Sequence, residues 1–157
     1  MDGKAWGTGM EAVRLIAATK HALARTVALH RVEDIVAETW QAQALAEAIG
    51  SHIALHGPVE ARAAALGLSE AGGRAALRTG GSRATQLTEV RDPWAALTEL
   101  AALFGEVGTA LVGVAGACEE DAVYWQCIEA IDAADETGDR IGGLLRRLAL
   151  RAHGGAA

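Results

Sequence analysis

Between Val123 and Leu148, apolar residues recur at the period of an α-helix: Val123, Cys127, Ala130, Ile131, Ala134, Ile141, Leu145 and Leu148 fall on one stripe at about 100° per residue. A strand would scatter these positions over both of its faces, so the last third of the chain is predicted to be one long helix packed along a single side. Trp125, Glu129, Asp132, Glu136 and Gly143 lie nearly opposite the stripe. A tryptophan among carboxylates on the polar side of a helix costs solubility unless something covers it. This back face, with Gln126 beside the tryptophan, is therefore read as a partner or ligand face.

The rest of the chain extends the helical reading. Alanine makes up about a quarter of the residues, there are only two prolines, and β-branched and aromatic residues are sparse, which favours helix over sheet. The expected fold is all-α: an antiparallel four-helix bundle over residues 10–152, between a disordered Gly-rich leader (1–9) and a frayed tail (153–157). Helix one is expected over about 10–29 and helix two over about 32–55, where Gly57-Pro58 stops it. Pro58 to Leu66 can form a short helix. A long Gly/Arg-rich connection, mobile over 67–91, is expected to follow, because Gly72-Gly73 and Gly80-Gly81 punctuate it. Asp92 as N-cap and Pro93 at the first helical position give helix three the clearest start in the chain, and it should run to about Ala117. Helix four follows to about Ala152.

Two of these helices look apolar on more than one side. In helix two, Ile35, Ala42, Ala46, Ile49 and Ile53 form the main stripe, and Ala37, Trp40, Ala44, Ala48 and Leu55 form a weaker second one. In helix three, Leu100, Leu103, Phe104, Val107, Leu111 and Val114 face inward, whereas Thr98, Ala102, Gly105, Thr109 and Gly116 cluster elsewhere. A helix apolar on two faces is buried by two neighbours, and small residues let a second backbone approach. An extra layer is expected, most simply a second copy of the chain related by a twofold axis.

Charge narrows the function classes. The net charge is −6, which argues against a general nucleic-acid-binding surface. Eight acids and no base lie between Glu119 and Asp139, whereas five arginines face two acids between Arg62 and Arg91, and Arg140, Arg146, Arg147 and Arg151 form a basic tail. Arg74, Arg78 and Arg83 are the candidates for an anion-binding loop, although the glycines around them lack the Gly-Lys-Ser/Thr of a phosphate loop. His52 and His56 share a helix face and are weak metal candidates, because no third ligand follows at local spacing. Glu106, the one charge between Leu100 and Ala117, would need a partner such as Lys20 if it faced the small-residue side. Cys118 and Cys127 match neither a zinc knuckle nor a redox pair and read as reduced thiols. No signal peptide is evident, so a cytoplasmic location is expected, with no membrane partner. No catalytic residues and no cofactor are implied.

Glu38-Thr39-Trp40-Gln41-Ala42 and Val123-Tyr124-Trp125-Gln126-Cys127 each place Trp-Gln near mid-helix and off the main stripe. The segments Ile35 to Leu45, Gly67 to Arg74 and Tyr124 to Glu136 resemble a family of small uncharacterised helical proteins from actinobacteria such as Streptomyces. The resemblance covers most of the chain from Met10 to Arg151 and carries over no functional residues. From the residues themselves, the expected function is a binding or regulatory module, not an enzyme, that forms a homodimer and uses Trp40, Gln41, Trp125, Gln126, Glu129, Asp132 and Glu136. The alternative is a small-molecule-binding or catalytic bundle with a pocket between helices two and four; a protein partner of another kind would use the same face.

Overall fold

The computed structural model describes residues 9–73 and 82–156, and these are mostly helical. Five α-helices stand among them: α1 (Ala12–Ala28), α2 (Val32–His56), α3 (Arg62–Gly73), α4 (Pro93–Ala117) and α5 (Asp121–Ala156). Two short strands, β1 (Met10–Glu11) and β2 (Leu87–Glu89), pair in parallel, with Met10 opposite Leu87 and Glu11 opposite Glu89.

The strand pair corrects the expected all-antiparallel bundle. Glu11 caps α1 by accepting the Val13 N–H at 2.9 Å, and its other carboxylate oxygen accepts the Arg91 N–H at 3.1 Å. Both bonds anchor the starts of α1 and α4 side by side. The two helices then run in the same direction, so that Lys20 of α1 reaches Glu99 at 3.6 Å and Glu106 at 3.5 Å of α4.

The fifth helix is the second correction. Residues 67–73, expected in a mobile loop, complete α3, which lies antiparallel along α2. Glycines explain why: a Cβ at Gly50 would sit 2.8 Å from the Ser69 nitrogen, and one at Gly72 would sit 2.6 Å from the Gln43 oxygen. Gly72 is thus a point of backbone contact and not a breaker. The Ser51 and Ser69 hydroxyls meet at 2.7 Å across the same seam. Trp40 and Ala44, from the second stripe of α2, are buried, whereas Leu55 is exposed. Much of the extra layer predicted for α2 therefore comes from within the chain.

The far end of the expected loop is also built in. Arg83, in a 3-10 turn (Arg83–Gln86), makes a two-pronged ion pair with Glu38 of α2, both bonds at 3.0 Å. It also donates to the Thr19 hydroxyl at 3.1 Å, while its backbone N–H donates to the Gln41 side-chain oxygen at 2.9 Å. One arginine thereby ties α1, α2 and the entry to β2 together. The core beneath is formed by Leu15, Ile16, Leu45, Ile49, Leu100, Leu103 and Ile141, all fully buried or nearly so. Between α2 and α5, Thr137 donates to the Gln43 side-chain oxygen at 2.7 Å, both groups buried.

Candidate functional site

The small-residue side of α4 has no cover among the described residues. Gly105, Gly108, Gly113 and Gly116 would each place a Cβ with nothing within 4 Å among the described residues. Only 28% of the most apolar stretch of α4 is buried, although by length and composition this helix could cross a membrane. Val112 is 60% exposed. The second neighbour expected for this face is absent among the described residues; the inward face of Leu100, Leu103, Val107 and Leu111 is packed as expected.

Beside this face, α1 and α4 part to leave an open groove of about 1280 Å³. Its floor and walls are apolar: Leu23, Ala24 and Val27 from α1, Ile35 from α2, Gly105, Gly113 and Val114 from α4, and Val123 from α5. Its rim is acidic, with Glu33, Glu106, Glu119 and Glu120 against a single histidine, His30. Lys20, on the seam between α1 and α4, is already shared between Glu99 and Glu106. His30 holds the left-handed conformation (φ 51°) that ends α1, a position where glycine is favoured. Its N–H donates to the Val27 carbonyl at 3.1 Å, and that of Arg31 to the Thr26 carbonyl at 3.1 Å. The chain thus carries a strained non-glycine residue at the mouth of the groove. The sequence shows the small-residue face of α4 and predicts that it is filled; α1, which ends at Ala28, leaves it open.

The outer face of α5 is where Trp125 stands. Trp125 is 65% exposed and packs edge-on against Tyr124, ring centres 5.4 Å apart. Gln126, Glu129 and Asp132 are exposed along with it, and Glu136 is half-buried. Further along the same helix, Glu136, Asp139, Arg140, Gly143, Arg146, Arg147 and Leu150 line, with Ala64 of α3, a trough of about 700 Å³. Trp40 and Gln41 do not share this face: Trp40 belongs to the core cluster, and Gln41 holds Arg83.

The remaining candidates have structural surroundings. Arg83 is engaged by Glu38, Thr19 and Gln41, and Arg74 and Arg78 lie outside the described residues. His52 and His56 meet at a tilt of 51° with ring centres 4.6 Å apart, and among the described residues no three His, Cys, Asp or Glu side chains cluster to hold a metal ion. Cys127 is buried, which pushes its thiol up from the ordinary range, with a smaller contribution from Cys118. Glu89 and Arg91 form an exposed pair at 3.0 Å, whose hydrogen bond and charge lower the carboxyl and raise the guanidinium.

Fold and surfaces together define a helical protein with an acidic-rimmed apolar groove on one side and a charged, tryptophan-bearing helix face on another. Residues 10–147 match DUF6099, a family of unknown function, and the chain belongs to that family. No curated protein and no solved structure matches it.

Proposed function

We propose that this protein is a binding module whose working surface is the groove between α1 and α4, and that the groove receives an apolar helix with basic flanks from another protein. The observation that carries this reading is the open glycine face of α4. Gly105 and Gly113, in the α4 wall of the groove, each cost helix stability, and nothing among the described residues uses the space they leave. A partner backbone approaching at Gly105 and Gly113 would use it.

The chemistry of the rim selects the partner. Glu33, Glu106, Glu119 and Glu120 flank apolar walls, so a helix with leucine or alanine on one side and lysine or arginine along its edges matches both features. From Ala102 to Ala117 the α4 wall is about 22 Å long, room for roughly four helical turns.

A synthetic 18-residue amphipathic helix with lysine edges is the probe, titrated by calorimetry against the full chain, with a glutamate-edged peptide of the same apolar face as control. The lysine peptide should bind, and Gly113→Leu, which fills the groove, should weaken it at least tenfold with the fold intact. Equal binding by both peptides would refute the charge assignment. Failure of both peptides to bind, or indifference to Gly113→Leu, would refute the groove.

A further inference from the structure

We propose that the trough between α3 and the second half of α5 binds a small phosphorylated molecule: a phosphate monoester dianion held by Arg140, Arg146 and Arg147, with an apolar body resting on Leu150 and Ala64. This is independent of the groove reading, because it rests on another surface with charge of the opposite sign.

Gly143 is the centre of the site. On a helix surface the neighbours of a residue stand three and four positions away, and for Gly143 they are Asp139, Arg140, Arg146 and Arg147. Three arginines against one aspartate leave this ring two charges positive. A glycine weakens a helix relative to alanine, and here it leaves a hollow inside the ring that a side chain would fill.

The arginines are uncommitted. Arg31, Arg83, Arg91 and Arg151 each pair with a carboxylate. Among the described residues, Arg140, Arg146 and Arg147 form no such pair, although the chain carries a net charge of −6, and all three are exposed. Glycines set where two of them lie. Arg140 reaches across to α3, its Nη1 3.2 Å from the point a Cβ of Gly67 would occupy. Arg146 turns back over its own helix, with Nη1 and Nη2 at 3.5 and 3.8 Å from the corresponding points of Gly142 and Gly143. The two guanidiniums therefore stand on opposite sides of the hollow, and Arg147 follows one turn further along. Glu136 lines the same trough, but it is engaged within the chain and lies about 10 Å along the helix from Gly143.

This arrangement selects the ligand. A dianion matches the charge of the ring, and the fork of a guanidinium gives paired N–H bonds to phosphate oxygens. Beyond the ring the trough continues to Leu150, 65% exposed, and to Ala64 of α3, an apolar ledge that favours a carbon skeleton over a second charge. At about 700 Å³ the trough has the size of a small-molecule site.

Phenyl phosphate is the probe, titrated into the full chain at pH 8 and followed by calorimetry and by its phosphorus resonance. It should saturate one site with a Kd below about 1 mM. Phenyl sulfate, the same shape with a single charge, and inorganic phosphate, the same head without the body, should each bind at least fivefold more weakly. Arg146→Gln and Arg147→Gln should each weaken phenyl phosphate about tenfold, and Gly143→Leu, which fills the hollow, at least tenfold, with thermal melts to verify that each variant folds. Absence of saturation at about 10 mM overturns the proposal, and so does binding indifferent to these variants. Equal affinity for phenyl sulfate would overturn the dianion, and equal affinity for inorganic phosphate the apolar body. A phosphotyrosine peptide that bound tenfold more tightly than phenyl phosphate would make the ligand a protein and overturn the small-molecule assignment. None of these results alters the peptide titration that tests the groove.

Discussion

Replacing Gly113 by alanine adds one methyl group to the groove face of α4, and the structure sets both the sign and the size of the result. The new Cβ meets nothing within 4 Å among the described residues, so no packing term opposes the substitution. What remains is the gain in intrinsic helix propensity, about 0.8–1.0 kcal/mol from glycine to alanine in a helix interior. In a chain of this size, a gain of about 1 kcal/mol raises Tm by roughly 2–4 °C. The same substitution at Gly50 carries the same propensity gain against a different background. There the Cβ would lie 2.8 Å from the Ser69 nitrogen and 2.9 Å from the Ala65 oxygen, main-chain atoms that retreat only if α3 slides off α2. Overpacking of this kind costs about 1–3 kcal/mol, enough to cancel the gain or exceed it. Circular-dichroism melts and urea titrations should therefore show Gly113→Ala stabilising and Gly50→Ala destabilising. A destabilised Gly113→Ala would mean that this face is covered within the chain, and the open-groove argument would fail.

Other perturbations probe the contacts that hold the frame. Glu38→Gln removes the charge from the two-pronged bond to Arg83 and should cost about 1.5–3 kcal/mol in urea unfolding, since both side chains are largely sheltered. Thr137→Val strands the buried Gln43 amide and should cost about 1–3 kcal/mol, whereas pairing it with Gln43→Leu should recover most of the loss. His30→Gly relieves the left-handed turn after α1 and should raise stability by roughly 1 kcal/mol, read as a higher urea midpoint. For Cys127, whose thiol is raised by burial, the folded chain holds the proton longer than the unfolded one. Its contribution is thus present below the ordinary thiol pKa and declines as pH rises above it, so Cys127→Ala should flatten the stability loss between about pH 8 and pH 10.

Local signals carried most of the helices and few of their relations. Asp92 and Pro93 fixed the start of α4, and the observed helix begins at Pro93 with the Asp92 carboxylate accepting the Ala95 N–H at 3.2 Å. The stripe of α5 was legible because Cys127, Ala130, Ala134 and Ile141 are all buried at helical spacing. The sequence names Lys20 or an arginine as a partner for Glu106 only on the condition that it faces the small-residue side, and the structure pairs Lys20 with it at 3.5 Å. α3 was cut short because Gly72-Gly73 looks like a stop in sequence, and only the approach of α2 to within contact of Gly72 turns it into a packing residue. With α3 read as loop, the buried second face of α2 asks for another chain and Trp40 shares an outer surface with Trp125; the structure puts Trp40 in the core. The groove had no sequence signature at all, because it arises from the parallel start of α1 and α4, fixed by a two-residue strand pair with no hydrophobic pattern of its own.

Charge argues against a second copy of the chain as the occupant of the groove. A symmetric dimer built through the groove would press Glu33, Glu106, Glu119 and Glu120 toward their own copies with only His30 among them, a like-charge contact that electrostatics penalises.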